Sequence, residues 1–334
     1  MGRMESGFYR QGLWARELVE ITDDASRLED GNFWAVLITY EGAQRFARFA
    51  DVRHQQFGEF LEYASAQQWH RPTHEWSSSL SHDEYLAAVV AVRKAIEQGD
   101  VYQMNLCRIL ATKAPQRELL ALFPRLVHGN PAPFLTSFEL PELSIASASP
   151  ELLVRREGDL IISSPIKGTA KTRGELLEKD RAENVMIVDL VRHDFGSICK
   201  TGTITTPRLL DLEEHPGLVH LVSDVQGNLE VGTRWSEIFR ALLPAGSISG
   251  APKSSALQLI NTIEKSDRGP YCGAIGWVQG DRGELAVGIR TFWIENEVLK
   301  FGTGAGITWG SDPQLEWVET ELKAHRLLSL INRP

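Results

Sequence analysis

The chain has 334 residues, with 35 Lys and Arg against 44 Asp and Glu, and a formal net charge of −9. At about 150 residues per domain, this length allows one large domain or two ordinary ones. Hydrophobic residues make up 43% and charged residues 24% of the chain, a globular composition that excludes wholesale disorder. The acidic balance, with no offsetting run of Lys or Arg, argues against a nucleic-acid or anionic-membrane partner.

The spacing of the cysteines and the lack of long apolar runs indicate the cellular compartment of the protein. Cys107, Cys199 and Cys272 lie far apart and form no CxxC pair, which is typical of a reduced interior rather than of a disulfide framework or a zinc site. The first thirty residues lack the apolar stretch of a signal peptide. Nowhere do roughly 18 apolar residues run together, as a membrane span would need. We therefore expect a cytoplasmic protein without membrane contact.

In chain order, the first strong signal is the apolar, β-branched run at 33–40 (FWAVLITY), which predicts a buried strand. The stretch 67–81 has no periodicity and is typical of a connector. We expect one domain over 1–334, with a short N-terminal segment at 1–78 and a catalytic core at 79–334.

Helix and turn signals follow. Ser81 opens a capping box with Glu84, and apolar residues recur at helical spacing until Gly99, which predicts one helix. Glu157-Gly158-Asp159 lies between two short apolar runs, which predicts a β-hairpin.

The C-terminal half continues this mixture. Helices are predicted at about 175–191 and 313–330, and a second hairpin joins 285–293 to 298–301. Because strands come in hairpins instead of alternating with helices, the pattern favours an α+β fold over a doubly wound parallel sheet.

Several common catalytic motifs are missing. The glycine run 302–306 lacks dinucleotide-binding spacing, and 246–250 (GSISG) places Ile248 where a nucleophile elbow needs Ser. No GxxxxGK[ST] loop and no HExxH sequence occur. Nucleotide hydrolysis, simple hydride transfer and serine hydrolysis are therefore disfavoured.

Two acidic pairs stand at helical spacing. Asp180 and Glu183 are three positions apart on one predicted helix, and so are Glu316 and Glu319 on another. Such pairs project from one helix face, and two faces meeting would suit Mg²⁺. Spacing alone favours the simpler interpretation, solvated faces with salt bridges to nearby lysines such as Lys323.

Two basic residues have surroundings that need explanation. Lys167, between Ile166 and Gly168, is either a partly desolvated nucleophile or, more commonly, a loop cation. Arg290 falls within the apolar stretch 286–291, where an inward guanidinium needs an anion or an internal carboxylate as its partner.

Taken together, the chain resembles the chorismate-utilising enzymes from about Ser81 to its C-terminus. The resemblance rests on nine blocks in family order: 99–106 (GDVYQMNL), 148–154 (ASPELLV), 164–169 (SPIKGT), 179–196 (KDRAENVMIVDLVRHDFG), 218–225 (LVHLVSDV), 244–253 (PAGSISGAPK), 269–277 (GPYCGAIGW), 289–291 (IRT) and 304–320 (GAGITWGSDPQLEWVET). One position departs from the family, because His193 stands where Asn is usual.

The resemblance implies a fold of two large antiparallel sheets packed orthogonally with helices outside, and Mg²⁺ bound at the ring carboxylate of chorismate. It implies Glu183 and Glu319 as direct metal ligands, with Asp180 and Glu316 acting through water. The resemblance therefore favours a Mg²⁺ site at the two acidic pairs over the interpretation of solvated faces with salt bridges.

The resemblance also implies the remaining roles. Glu151 would protonate the departing 4-hydroxyl, with His220 as an orienting or proton-sharing neighbour. The substrate-binding group comprises Gln103, Gly168, Thr169, Arg290 on the enolpyruvyl carboxylate, and Gly304, Ala305, Gly306 and Lys323 around the ring carboxylate.

Two positions discriminate between branches of the family. Members that add water at carbon 2 have a Lys base where this chain has Gln103, and anthranilate-forming members usually have Ala where it has Lys167. The Lys form resembles the aminodeoxychorismate-forming members, in which that amine attacks carbon 2 before ammonia enters at carbon 4. We therefore expect amination of chorismate at carbon 4 for 4-aminobenzoate and folate synthesis.

Other family activities stay as alternatives. Anthranilate synthesis is the first, while isochorismate or salicylate synthesis and a catalytically inactive relative are less favoured. No Cys-His site of a glutamine amidotransferase is evident, so the chain is expected to use free ammonia or a separate glutaminase subunit.

Overall fold

A computed structural model describes residues 6–54, 56–170, 172, 174, 178–215 and 218–332. Seven α-helices occur in this part of the chain: α1 (Phe57–Ser65), α2 (His82–Gln98), α3 (Phe123–Gly129), α4 (Glu178–Gly196), α5 (Trp235–Leu242), α6 (Lys253–Ile263) and α7 (Pro313–Asn332). None of the helices described is long and apolar enough to cross a bilayer.

Eighteen strands are described: β1 (Gly7–Arg10), β2 (Leu13–Thr22), β3 (Phe33–Ile38), β4 (Gln44–His54), β5 (Ser77–Ser78), β6 (Gln103–Lys113), β7 (Phe134–Leu140), β8 (Leu143–Ser149), β9 (Leu152–Glu157), β10 (Leu160–Ser164), β11 (Ile166–Ala170), β12 (Thr205–His215), β13 (Leu218–Asn228), β14 (Gly250–Ala251), β15 (Ala274–Gln279), β16 (Arg282–Val287), β17 (Thr291–Glu295) and β18 (Val298–Ile307).

Every pairing in the sheet is antiparallel, and together the pairings form one long strip. Strands β11 and β12 both pair with β13, and the strip then runs through β10, β9, β16, β15, β3, β4 and β2. It continues through β1, β7, β8, β17, β18 and β6, with the short strands β5 and β14 on the far side of β6. The predicted sheets are thus two halves of one curled sheet, and the α+β class is confirmed.

The two halves of the strip share a single core. One apolar cluster joins Trp34 of β3 and Val278 of β15, from one half, to Leu106 of β6 and Ala305 of β18, from the other. The inner faces of the two halves can pack against each other only if the sheet curls. The helices then cover the outer faces. Helix α4 packs on β11 and β13, while α7 packs on β18.

Local signals predicted several elements well. Helix α2 begins with the Ser81–Glu84 capping box and ends at Gly99, whose φ of 82° needs glycine. The hairpin at 157–159 joins β9 to β10. The helix predicted at 175–191 continues to Gly196 as α4, and its predicted first three residues, 175–177, lie outside the described residues. The final helix extends two residues past its predicted end.

One predicted strand is wrong. The run 285–293 is divided, because β16 ends at Val287 and β17 begins at Thr291. A Cβ on Gly288 would lie 2.1 Å from the Pro270 carbonyl oxygen, and Arg290 has a φ of 53°, which extended strands do not adopt. Arg290 therefore lies in a break between two strands rather than within one.

Candidate active site

Lys167 lies on β11, next to a glycine that bends the strand. Gly168 has a φ of +86°, a conformation that side chains disfavour. The pairing of β11 with β13 changes register between Ile166 and Thr169. This bulge interrupts the ladder at Lys167, as bulges beside active sites often do.

Four charged groups from three parts of the fold act on the Lys167 amine. Burial lowers the pKa of Lys167, and the carboxylates of Glu183 and Glu151 oppose that shift. From α7, the positive charge of Lys323 lowers the pKa further, while Glu319 raises it. The structure therefore brings together residues that are as far apart in sequence as Glu151 and Lys323.

Glu151 lies between β8 and β9 and is only 4% exposed. Burial raises the pKa of Glu151 to about 7, against opposing effects of the Ser247 hydroxyl, the Lys167 charge and the Ile166 backbone. A carboxyl with a pKa near neutrality can give up and regain a proton at physiological pH. Glu151 therefore fits the acid that the sequence analysis expects.

The glycine-rich end of β18 forms the floor beside Lys167. A Cβ on Gly306 would lie 2.7 Å from Gln103 Nε2 and 3.8 Å from Lys167 Nζ. A Cβ on Gly304 would lie 2.7 Å from the Leu106 carbonyl oxygen. Glycine at these two positions therefore lets β18 pack closely against β6 and the Gln103 side chain. Gln103 is 2% exposed, and its Oε1 has no hydrogen-bond partner among the described residues.

The acidic pairs lie on α4 and α7, the two helices that cover this site. Glu319 forms an ion pair with Lys323 at 2.6 Å, and Lys323 also donates a hydrogen bond to the Gly304 carbonyl at 3.0 Å. The salt-bridge interpretation of the sequence is thus correct for Glu319. Glu183 and Glu319 both act on the charge of Lys167, so one carboxylate from each helix faces the same amine.

The donor set is chemically suited to Mg²⁺. Within the described ranges, no three Asp, Glu, His or Cys side chains gather into a cage that could hold a metal unaided. Mg²⁺ does not require such a cage, because it commonly takes one or two carboxylates together with waters and substrate oxygens. Glu183 and Glu319 supply such a pair, with Asp180 and Glu316 one turn before them.

Arg290 lies in the break between β16 and β17. Burial and the charge of Arg326 lower the pKa of its guanidinium to about 10. No ion pair with Arg290 is found in the part of the chain that the structure describes. Its backbone is fixed by the Ala148 N–H, which donates to the Arg290 carbonyl at 3.0 Å.

His220 lies on β13, where it is 2% exposed and pairs in register with Thr169 of β11. On β11, Thr169 lies two residues after Lys167. The Thr169 side chain is outside what the structure describes, so its predicted contact with substrate stays a prediction.

The sequence analysis missed two residues that shape the site. Ser247 lies beside Glu151, in a GSISG run considered only as a nucleophile elbow. Arg268, 1% exposed, donates to the Ile248 carbonyl at 2.7 Å and to the Asn105 carbonyl at 2.8 Å. It thereby ties the Ser247 loop to β6, a role that no local pattern could reveal.

Sequence comparison gives a consistent family. The pattern of chorismate binding enzymes matches residues 13–329. Anthranilate synthase component 1 of Saccharolobus solfataricus is 35% identical over 270 residues, covering 77% of this chain and 64% of that protein. The Neisseria meningitidis serogroup C protein of the same name is 36% identical over 264 residues, covering 75% and 54%. The chain thus spans roughly half to two thirds of the length of these relatives.

Solved structures share the fold. An isochorismate synthase from Bacillus anthracis superimposes with a TM-score of 0.82 at 22% identity, covering 98% of this chain and 96% of that one. Anthranilate synthase component I from Streptococcus pneumoniae gives 0.79 at 21% identity, covering 98% and 91%.

Proposed function

The chain belongs to the chorismate-binding enzymes, and from this we propose that it aminates chorismate at carbon 4 to give 4-amino-4-deoxychorismate. The observation that supports this is the amine of Lys167, with its lowered pKa, placed among Glu151, Glu183 and Glu319. An amine with a lowered pKa is a neutral nucleophile for a larger fraction of the time.

The reaction proceeds as two displacements. The Lys167 amine attacks carbon 2 of chorismate while the 4-hydroxyl departs, and Glu151 gives that oxygen its proton so that water leaves. Ammonia then bonds to carbon 4 and the bond from carbon 2 to Lys167 breaks, which returns the amine. Dividing one displacement into two easier ones is the usual advantage of covalent catalysis.

The remaining residues bind and orient chorismate. Arg290 pairs with the enolpyruvyl carboxylate, because a buried guanidinium needs an anion. Backbone groups of Gly304, Ala305 and Gly306, together with Lys323, receive the ring carboxylate. Gln103, Gly168 and Thr169 complete the proposed substrate-binding set. His220 orients Glu151 or shares its proton.

Glu183 and Glu319 would hold Mg²⁺ directly, with Asp180 and Glu316 behind them through water. When bound, the metal supplies electron withdrawal from the ring through its carboxylate. The two carboxylates also hold Lys167 and Lys323 in place by their charge.

Anthranilate synthesis is the second candidate, and the names of the related proteins favour it over the first. Lys167 favours amination at carbon 4 instead. Gln103 cannot act as a base, which disfavours isochorismate and salicylate synthesis. An inactive relative would be expected to lose Glu151, Lys167, Glu183 or Glu319, and all four are present.

Ammonia arrives from solution or from a glutamine amidotransferase subunit. The designation component 1 among the relatives supports a partner subunit. We place this reaction in the cytoplasm, as part of 4-aminobenzoate and folate synthesis.

A product assay tests the proposal. The chain is incubated with chorismate, an ammonium salt and Mg²⁺, and products are separated by chromatography. We expect 4-amino-4-deoxychorismate, and anthranilate or isochorismate as the main product would overturn the assignment. Intact mass under turnover should show a covalent adduct that Lys167→Ala abolishes and the exposed control Lys200→Ala retains. An unchanged adduct in Lys167→Ala would exclude its role as nucleophile.

A further inference from the structure

A small cavity lies against Glu151, and its described lining includes no residue of β18. Its volume is about 20 Å³, and its lining includes Glu151, Ser247, Asp194 and Val191. A cavity of this volume has room for one water, provided that polar groups are present to bind it. Glu151, Ser247 and Asp194 provide such groups.

Ser247 supplies one of these polar groups. It is 7% exposed, and its hydroxyl lies beside the Glu151 carboxyl without a well-aligned hydrogen bond to any described residue. A buried hydroxyl without a partner is costly. A water in the cavity would satisfy Ser247 and reach the carboxyl of Glu151 as well.

Asp194 is another polar residue of the cavity lining. Its Oδ2 lies 2.6 Å from Nζ of Lys253, and their side chains are 10% and 19% exposed. The pair therefore connects the buried cavity to bulk solvent. Burial raises the pKa of Asp194, while the charges of Lys253 and His193 oppose that shift. Asp194 and Lys253 fall in the blocks 179–196 and 244–253, and neither of these two residues has been given a role above.

We propose that Asp194, Ser247 and one water in this cavity form a proton route that returns a proton to Glu151 through the cavity. The proposal rests on the proposed function only in taking Glu151 as the proton donor. Because no described residue of β18 lines the cavity, Glu151 is recharged by a route separate from the space beside β18.

Each step conserves protons. After Glu151 has given its proton to the departing oxygen, its carboxylate takes one from the cavity water. The Asp194 carboxylate accepts a proton from the Lys253 ammonium and passes it to that water, and Lys253 regains its own proton from solvent. Ser247 orients the water and changes no charge. The charged groups facing this route are Lys167 on Glu151, and Lys253 and His193 on Asp194.

The test measures kcat, the KM for chorismate and the solvent deuterium isotope effect on kcat. Asp194→Asn should lower kcat at least about tenfold, within the loss seen when proton transfer is impaired. The chorismate KM should stay unchanged and the isotope effect should increase. Formate should restore part of the kcat of Asp194→Ala by occupying the space of the lost carboxylate. A purely structural role for Asp194 would give no such rescue.

A second pair of variants keeps the test informative if substitution of Asp194 prevents folding. Val191→Ile adds one methylene at the cavity wall and should displace the water, with the same loss of kcat. The matched control is Val188→Ile on the same helix, which is buried but does not line the cavity and should keep wild-type kcat. Wild-type kcat and isotope effect in both Asp194→Asn and Val191→Ile would overturn the route. Failure of the proposed function is separate, because it appears as a different product of the wild-type chain.

Discussion

The buried carboxyl groups of Glu151 and Glu139 differ in whether a neighbouring group can exchange a proton with them. Glu151 and Glu139 each line a water-sized cavity, but only Glu151 has the Lys167 amine beside it. Glu139, on β7, is 3% exposed, and neither carboxyl oxygen has a hydrogen-bond partner among the described residues. Burial raises the pKa of Glu139 to about 8, yet no described site uses it.

Glu139 should therefore make stability depend on pH. With a folded pKa of about 8 against an ordinary value of 4.5, its contribution is complete below pH 4.5 and is lost as pH rises through 8. Glu139→Gln should raise Tm relative to wild type by a few degrees at pH 9 and by less at pH 5. The exposed control Glu142→Gln should change neither value, and an equal shift at both pH values would exclude Glu139 as the cause.

Most residues of the candidate active site could be predicted from the sequence, but only because long blocks of it resemble a known family. Spacing alone left Lys167 and the acidic pairs undecided. Their meaning depends on the curl of the sheet, which brings α4 and α7 from opposite ends of the strip to the same amine. No local pattern records such a tertiary arrangement. Ser247 was missed for the same reason, since its neighbour Glu151 is distant in sequence.

At the scale of elements, hairpins and caps were predictable because their signals are local. The break between β16 and β17 was not, because it depends on Gly288 meeting the Pro270 carbonyl across the fold. The break also places Arg290 between the two strands, and in the proposed function its guanidinium binds the enolpyruvyl carboxylate.

The closeness of β18 to Gln103 can be tested. Gly306→Ala would place a methyl 2.7 Å from Gln103 Nε2, the end of a side chain that can move, so the protein should fold. The displaced Gln103 should raise the chorismate KM about tenfold with little change in Tm. Gly310→Ala, with no atom within 4 Å of the new methyl, is the control. A wild-type KM in Gly306→Ala would show that this space does not receive substrate.

The contribution of α4 to the Mg²⁺ dependence of activity should come from one residue, Glu183. Glu183→Gln removes a charge while keeping shape, and the Mg²⁺ concentration giving half-maximal activity should rise at least about tenfold, because Mg²⁺ prefers charged oxygen ligands. Glu178→Gln, exposed on the same helix, should titrate as wild type. An identical Mg²⁺ titration for Glu183→Gln would remove it from the ligand set.

At the scale of the whole molecule, the N-terminal strands occupy the middle of the sheet. β3 pairs with β15, and β1 pairs with β7, so these strands join the two halves of the strip. A chain of residues 79–334 alone should therefore show no cooperative thermal transition by circular dichroism. Such a chain with a cooperative transition and wild-type product formation would contradict this.

The central position of the first strands also has a consequence for biosynthesis. Arg10 donates a hydrogen bond to the carbonyl of Ile275, 265 positions later, and β3 finds its partner in the same late region. During translation, the first strands leave the ribosome with an apolar face and an unpaired edge long before their neighbours exist. Folding dominated by such distant pairings is slow and exposed to aggregation. We expect nascent chains of this protein to depend on chaperones until nearly the whole sequence has been made.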